Sequence, residues 1–434
     1  MECDSGTFPL TRGQLDIWLS EETGRVGAKW HNGMLGRIEG SLQPALLELA
    51  IRHVVGEAEP LRATFFEADG KVFQRLLDYP DVELAYYDLL DAQDSVQEVN
   101  RLMASIQHAP MPLSGPLFKF ALMQTRADEF YWFVCCHHIA VDGIGMAMII
   151  HRIAEVYSAI ATDAAIPPPI FGSLRNLIDS ELEYESSADY SEDEAYWAKN
   201  VPLDGEPGYG LPAGAAGRPS EYVPSAPVRL DPSVVAKTRE LSHTLGVRRA
   251  SVITAACALL VRGQGAGASE VVLDFPVSRR VHPEALMVPG MISGVVPLVL
   301  KTSPESSVAG FCEHVDAQMQ EALRHQRFPA RAIENQARSH GAGQPSDRAT
   351  INFIPAIPFA DFAGAAGSGA VTHTGLTDQF GLVFTKDGEE LYLGTSGVGQ
   401  LFADCDARDL ADRFERVLAA MTADPGQLLS AIDV

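Results

Sequence analysis

Two hydrophobic periods run along this chain, and the sharpest change from one to the other falls within residues 130–157, FYWFVCCHHIAVDGIGMAMIIHRIAEVY. Phe130 to Cys136 is a continuous apolar and aromatic run of strand formers, too short for a spanning helix, which predicts a strand buried on both faces. From Ile144 the apolar positions recur at Met146, Ile149, Ile150, Ile153 and Val156, a helical spacing. Between strand and helix stand His137, His138, Asp142 and Gly143.

The same patterning predicts the elements on either side. Residues 9–22 read as a short helix capped by Thr11, with Leu15, Trp18 and Leu19 on one face. A strand at 38–40 leads into a helix at 43–55. An alternating strand begins at 60–66, and Asp69-Gly70 marks a hairpin turn into 72–74. A short strand at 82–88, a polar-faced helix at 95–109 and a strand at 116–124, paired with 130–136, complete a mixed lobe. Residues 163–171 form a proline-stiffened connector and 174–200 an acidic helical stretch. Residues 201–217, dense in Gly, Pro and Ala, read as a linker between lobes.

Globular patterning resumes at Val228. Helices are expected from Asp231-Pro232 to Leu245, at 308–324 and at 409–422, with a helix buried on every side at 250–262. Strands are expected at 271–277, 295–301 and 350–354, and a closing hairpin at 381–385 and 390–396 around Asp387-Gly388. Residues 362–375, rich in Gly, Ala and Ser, read as a mobile loop. The second half loosely echoes the first. The expectation is an α/β fold with mixed sheets in two similar lobes, residues 1–175 and 176–434.

A length of 434 residues agrees with two lobes rather than one core. The formal net charge of -24 argues against nucleic acid and anionic membrane as partners, while an acidic protein partner would need a local basic or apolar patch. Six cysteines without a pairing rhythm look like reduced core thiols. Met1-Glu2-Cys3-Asp4 is no signal peptide and no apolar run has the length of a membrane span, so a soluble cytoplasmic protein is expected.

The histidine pair has a plain reading and a chemical one. A histidine ending a core strand is commonly a satisfied structural residue, and Asp142 before a helix is an ordinary N-cap. That covers Asp142 but leaves two adjacent imidazoles after an apolar run unexplained. The junction can hold an imidazole rigidly and still reachable from a cleft. A metal site would need further ligands, and Cys135-Cys136 should alternate across the strand, so no metal is expected. Both thiols read as core filler rather than nucleophiles.

His137-His138-Ile139-Ala140-Val141-Asp142-Gly143 resembles the HHxxxDG motif of condensation domains of nonribosomal peptide synthetases, within the chloramphenicol-acetyltransferase-like superfamily. Leu10-Thr11 with Gln14 and Trp18 looks like the family's opening motif, and Glu59-Pro60-Leu61-Arg62-Ala63-Thr64-Phe65 is similar to its heExLRTxF motif. Tyr184 through Tyr196-Trp197 resembles the motif ending in YW. Pro276-Val277-Ser278-Arg279-Arg280, then Pro289-Gly290-Met291 and Val296-Pro297-Leu298, look like the motif with an Arg after a P-V run and a downstream N-x-LPL. His325-Gln326-Arg327-Phe328-Pro329 resembles the HQxxPF type. In two places the pattern departs. Arg279 stands where the family carries Gly before the motif's Arg, and Gly294 where it carries Asn. The Arg-rich seventh motif has a weak counterpart in Ser346-Asp347-Arg348. These departures bear on acceptor specificity and stereochemical subclass more than on the chemistry. The match spans the chain, with no adenylation domain or carrier serine after it, which implies a free-standing condensation enzyme or an excised domain.

The resemblance implies a V-shaped pseudodimer of two acetyltransferase-like lobes around a central tunnel, working as a monomer. It implies no cofactor bound by the chain itself. A peptidyl or acyl carrier protein would present the donor on its phosphopantetheine arm, and a second carrier or a free small molecule would bring the acceptor. The reaction would be attack of an amine or an alcohol on the carrier-bound thioester. A thioester is already activated, so alignment, proton removal and oxyanion stabilisation suffice. By that resemblance His138 is the general base or orients the nucleophile, and His137 is structural. Asp142 pairs with Arg280 to fix the loop, the Gly143 N–H faces the oxyanion, and Ser293 and Gly294 lie near the tunnel. Plainer readings stay open for Arg280 as a surface residue and Trp18 as core. Two other function classes also stay open: a coenzyme A-dependent acyltransferase of the same superfamily, and a non-catalytic docking platform for carrier proteins.

Overall fold

The computed structural model describes residues 6–22, 30–78, 81–201, 226–263, 269–339, 348–354, 359, 361–375, 380–397, 401–402 and 405–433. Its elements run β1 (Thr7–Pro9), α1 (Arg12–Glu22), β2 (His31–Glu39), α2 (Pro44–Glu57), β3 (Ala63–Ala68), β4 (Lys71–Leu76), β5 (Leu84–Asp88), α3 (Ser95–His108), β6 (Phe118–Arg126), β7 (Glu129–His137), α4 (Gly143–Ala161) and α5 (Leu174–Glu185). They continue α6 (Ala188–Asn200), β8 (Val228–Arg229), α7 (Pro232–Leu245), α8 (Arg249–Arg262), β9 (Glu270–Val277), α9 (Pro283–Leu286), β10 (Gly294–Lys301), α10 (Val308–Arg324), α11 (Ala330–Ser339), β11 (Ala349–Ile354), β12 (Ala366–Thr374), β13 (Phe380–Asp387), β14 (Glu390–Ser396) and α12 (Ala407–Ala423). The fold is the expected mixture of helices and mixed sheets.

The chain divides into two compact units. The first comprises Met1–Ser186, Ser278–Ser293 and Ile357–Leu376; the second comprises Ser187–Val277, Gly294–Ala356 and Thr377–Val434. No single cut, at residue 175 or elsewhere, separates them. The two excursions into the first unit leave the second between strands that neighbour one another in its sheet, ordered β10-β9-β11-β13-β14-β8. Those excursions carry Arg280 and β12.

In the first unit β7 is the middle strand of a sheet ordered β12-β2-β7-β6-β5, and every one of its residues except Tyr131 is buried. The apolar run therefore forms the two-sided core strand that its composition predicts. Trp132 meets Phe362 edge-on, and Phe362 meets Tyr157 of α4. The helical spacing of α4 places Met146, Ile149, Ile150, Ile153 and Val156 in this core. By length and hydropathy alone α4 could cross a membrane, but its apolar residues serve the core of its own unit. The acidic stretch at 174–200 is two helices, because Ser187 interrupts it as an N-cap whose hydroxyl accepts from the Tyr190 N–H at 3.3 Å. The linker expected at 201–217 lies outside the described residues beyond Val201, as do Ser346 and Asp347.

Two local expectations are corrected. Among the described side chains of α1 the buried positions are Gly13, Gln14 and Ile17, whereas Leu15, Trp18 and Leu19 are half-buried. A glutamine occupies the inner face because the Gln14 and Gln74 side-chain amides bond each other, and Gln14 Oε1 also accepts the Thr11 N–H at 2.9 Å. Thr11 Oγ1 in turn accepts from Gln14 N at 3.3 Å, a reciprocal cap.

The expected mobile loop at 362–375 is largely β12, paired antiparallel with β2 from Ala366 opposite Glu39 to Thr374 opposite Asn32. Its small residues are what the pairing needs. Phe359 lies across Gly36 of β2 and Gly369 of β12, and a Cβ on either would stand 1.9 Å or 2.4 Å from the ring. Glycine inside a strand here marks close approach of an aromatic ring, not disorder. Gly36→Ala is expected to lower stability by about 1–3 kcal/mol through overpacking. Adding Phe359→Leu should recover part of that loss in urea unfolding; additive losses would count against this contact.

Candidate active site

At the end of β7 the chain turns through residues 138–142 and enters α4. Asp142 caps that helix, its Oδ1 accepting from the Gly145 N–H at 2.8 Å. The carboxylate is buried and answers four further donors. Arg280 donates from Nη1 to Oδ2 at 2.7 Å and from Nη2 to Oδ1 at 2.9 Å. The Ile292 and Ser293 N–H groups reach Oδ2 at 3.1 and 3.0 Å. Burial by itself would raise the Asp142 pKa, but the charge and hydrogen bonds of Arg280 with the backbone donors hold it below the ordinary aspartate value. Arg280 Nη2 also donates to the carbonyls of Val288 and Gly290 at 3.3 and 3.0 Å. One bidentate pair thus ties the loop after β7 to residues 288–293.

Close approach explains Gly145 rather than Gly143. A Cβ at 145 would stand 2.8 Å from the Pro289 backbone, whereas one at 143 meets nothing within 4 Å. Gly143 is exposed, with open space beside it. Arg279, where the family pattern has Gly, holds φ at +54°, the left-handed region glycine enters freely. An arginine pays roughly 1 kcal/mol there. Its side chain, only 6% exposed, reaches Asp16 at 3.8 Å.

The two adjacent histidines are held differently. His137 Nδ1 accepts the Ile139 N–H at 3.2 Å, which leaves Nε2 to carry the proton towards Glu21 Oε1, 3.0 Å away. Both ring nitrogens are thereby committed to structure. His138 is half-buried, and its N–H donates to the Trp30 carbonyl at 2.6 Å. Its buried Nδ1 meets no neighbouring hydrogen-bond partner; what it faces is the residue's own backbone carbonyl. That arrangement favours the proton on Nδ1 and a lone pair on Nε2. Burial pushes the His138 imidazole below the ordinary histidine value, against the opposing pull of the Asp142 carboxylate.

Several other motif residues have structural partners. Ser293 gives its N–H to Asp142, while Gly294 opens β10 opposite Val277 in the other unit. Thr11 Oγ1 donates to the Met291 carbonyl at 3.1 Å, and Glu59 Oε2 accepts the Leu174 N–H at 2.6 Å. In the second unit Tyr196 stacks on His325 with ring centroids 4.0 Å apart, and Trp197 Nε1 donates to the His325 carbonyl at 3.0 Å. Burial pushes the Cys135 thiol up to about 12, and that of Cys136 higher still. Among the described residues no group of three or more His, Cys, Asp or Glu side chains could hold a metal ion.

A family model described as "Condensation domain" matches residues 4–434. The chain belongs to the condensation domain family. It is 26% identical to the dimodular nonribosomal peptide synthase of Bacillus subtilis over 98% of its own length and 18% of that protein's. It is 24% identical to enterobactin synthase component F of Escherichia coli K12 over 98% of its length and 33% of that protein's. The chain therefore spans less than about a third of these curated relatives. Among solved structures, the first condensation domain of the CDA synthetase superposes with a TM-score of 0.86 at 28% identity, over 99% of both chains. A starter condensation domain of rhizomide synthetase in complex with C8-CoA gives 0.83 at 26% identity, over 99% of this chain and 98% of that one.

Nothing in the linear pattern singled out Trp30, His31, His373 or Gly375 of this condensation domain. Their signal is two short runs, Trp30-His31-Asn32-Gly33 and Thr372-His373-Thr374-Gly375, each pairing an imidazole with a glycine. The register sets His373 opposite Gly33 and Thr374 opposite Asn32, with His31 opposite His137, so these residues gather at the ends of β12, β2 and β7.

Proposed function

We propose that this condensation domain transfers an acyl or aminoacyl group from a carrier-bound thioester to an amine or alcohol, with His138 Nε2 handling the acceptor's proton. The observation that carries the reading is the unequal commitment of the two histidines. His137 has both nitrogens engaged, whereas His138 leaves a ring nitrogen uncommitted and burial disfavours its charged form. The acceptor's nitrogen or oxygen bonds to the thioester carbonyl carbon and the C–S bond breaks. The proton leaving the acceptor passes to Nε2 and then to the departing thiolate. The exposed Gly143 N–H, at the first turn of α4, is the donor for the developing oxyanion. Asp142 and Arg280 act through the loop they fix. The phosphopantetheine arm belongs to the carrier protein, so the scheme asks for no cofactor held by this chain.

The test offers a carrier-bound acyl thioester and the matching acyl-coenzyme A to a panel of amines and alcohols, with products read by mass spectrometry. Turnover from the carrier alone is expected, and the winning acceptor decides between amide and ester. Equal turnover from coenzyme A would move the chain to the coenzyme A-dependent acyltransferases. Carrier binding without turnover from any donor would make it a docking platform.

A further inference from the structure

We propose that Gly375, at the end of β12, is a positioning residue that seats the reactive edge of the His138 imidazole. The inference rests on the proton-handling role of His138. Gly375 holds φ at +82°, and a Cβ built on it would stand 3.1 Å from His138 Cδ2, 3.6 Å from Trp30 Cε3 and 4.0 Å from His138 Nε2. The bare Cα therefore lies against the ring edge that carries Nε2. On another side the ring meets Trp30 edge-on, centroids 6.1 Å apart. Trp30 also accepts the His138 backbone N–H, so ring and backbone of His138 are located by one neighbour.

Gly375 has no freedom to withdraw from an added side chain. Its N–H is shared between the His31 carbonyl at 3.1 Å and His373 Nδ1 at 3.0 Å. His31 is in turn fixed on β2 opposite His137, and its own Nδ1 is bonded to the Gln107 carbonyl at 2.6 Å. Strand pairing thus transmits the position of Gly375 to the residue immediately before His138. His373 can accept that N–H only with Nδ1 deprotonated. Burial, then the neighbouring imidazoles of His31, His108 and His138, push its pKa down to about 4, so the acceptor persists through the working pH range. With Gly375 held by two acceptors, a methyl group there must move the His138 ring by a few tenths of an ångström.

Gly375→Ala should lower kcat about tenfold with KM within about twofold, since reacting groups displaced by fractions of an ångström lose alignment. The control is Gly388→Ala. Gly388 also has positive φ, +53°, but open space around it, so that variant carries the backbone strain without touching His138. The imidazole NMR signals of His138 should shift in Gly375→Ala and stay in place in Gly388→Ala. Wild-type kcat in Gly375→Ala, or an equal kcat loss in both variants, would overturn the proposal.

If Gly375→Ala does not fold, His373→Leu and His373→Asn decide. Leu removes the acceptor and should lower kcat, while Asn restores an acceptor and should recover it; equal effects overturn the proposal. His138→Ala in the same assay separates the two levels. An inactive His138→Ala beside a wild-type Gly375→Ala sinks the seat alone. An active His138→Ala, or no turnover from any donor, sinks the proton-handling role and the seat with it.

Discussion

Asp142→Asn should destabilise the first unit by about 3–5 kcal/mol, because it leaves the buried Arg280 guanidinium without its counter-charge. The geometry makes the substitution worse than a neutral swap. The carboxylate accepts from Arg280 twice and from the N–H groups of Gly145, Ile292 and Ser293, so both of its oxygens face donors. An asparagine must turn its NH2 towards one set of those donors and oppose hydrogen to hydrogen. Thermal unfolding should show a fall on the order of 10 °C. Because the folded-state pKa of Asp142 lies below its ordinary value, its contribution is present above that ordinary value and lost as pH falls through the folded one. The gap between wild type and Asp142→Asn should therefore narrow in strong acid. Arg280→Leu should be milder than Asp142→Asn, since three backbone donors remain for the carboxylate. A loss below about 1 kcal/mol in Asp142→Asn would mean that the pair is not what holds the loop.

His138→Ala is expected to lower kcat by about 10²–10⁴-fold while leaving the unfolding midpoint near that of the wild type. Its ring nitrogens make no hydrogen bond that the surrounding strands depend on, and the backbone N–H to Trp30 survives the substitution. The pH profile adds a signature. Protonation of a general base stops the reaction, and burial sets the His138 pKa below the ordinary histidine value. Activity should then hold through pH 7 and decline only below the usual histidine range, with the acid limb absent from the residual activity of His138→Ala. Alcohol acceptors should lose more than amines, because an unprotonated amine attacks without prior removal of a proton. A loss under tenfold with both acceptor classes would remove His138 from the chemistry.

Local pattern was enough for the elements whose identity is written in neighbouring residues. The apolar run of β7, the helical spacing of α4, the caps at Thr11 and Asp231 and the hairpin at Asp387-Gly388 all depend on contacts a few positions apart. The family's motif strings added residues to watch, and His138, Asp142 and Arg280 were among them. The same strings left the distinction between Gly143 and Gly145 unread, because it turns on where Pro289 lies.

Long-range pairing accounts for the rest. The segment at 366–374 has too few side chains to announce a strand, and it becomes one because β2 offers it a full edge of hydrogen bonds. Gln14 looks like a surface residue until Gln74 supplies its partner, sixty positions away. Two excursions from the second half bring Arg280 to Asp142 and Gly375 to His138, and no periodicity in the chain records either meeting. A one-dimensional pattern reports which face of an element is apolar. Which distant backbone then closes on that face depends on register and on the space a missing side chain leaves, and those exist only once the chain has folded.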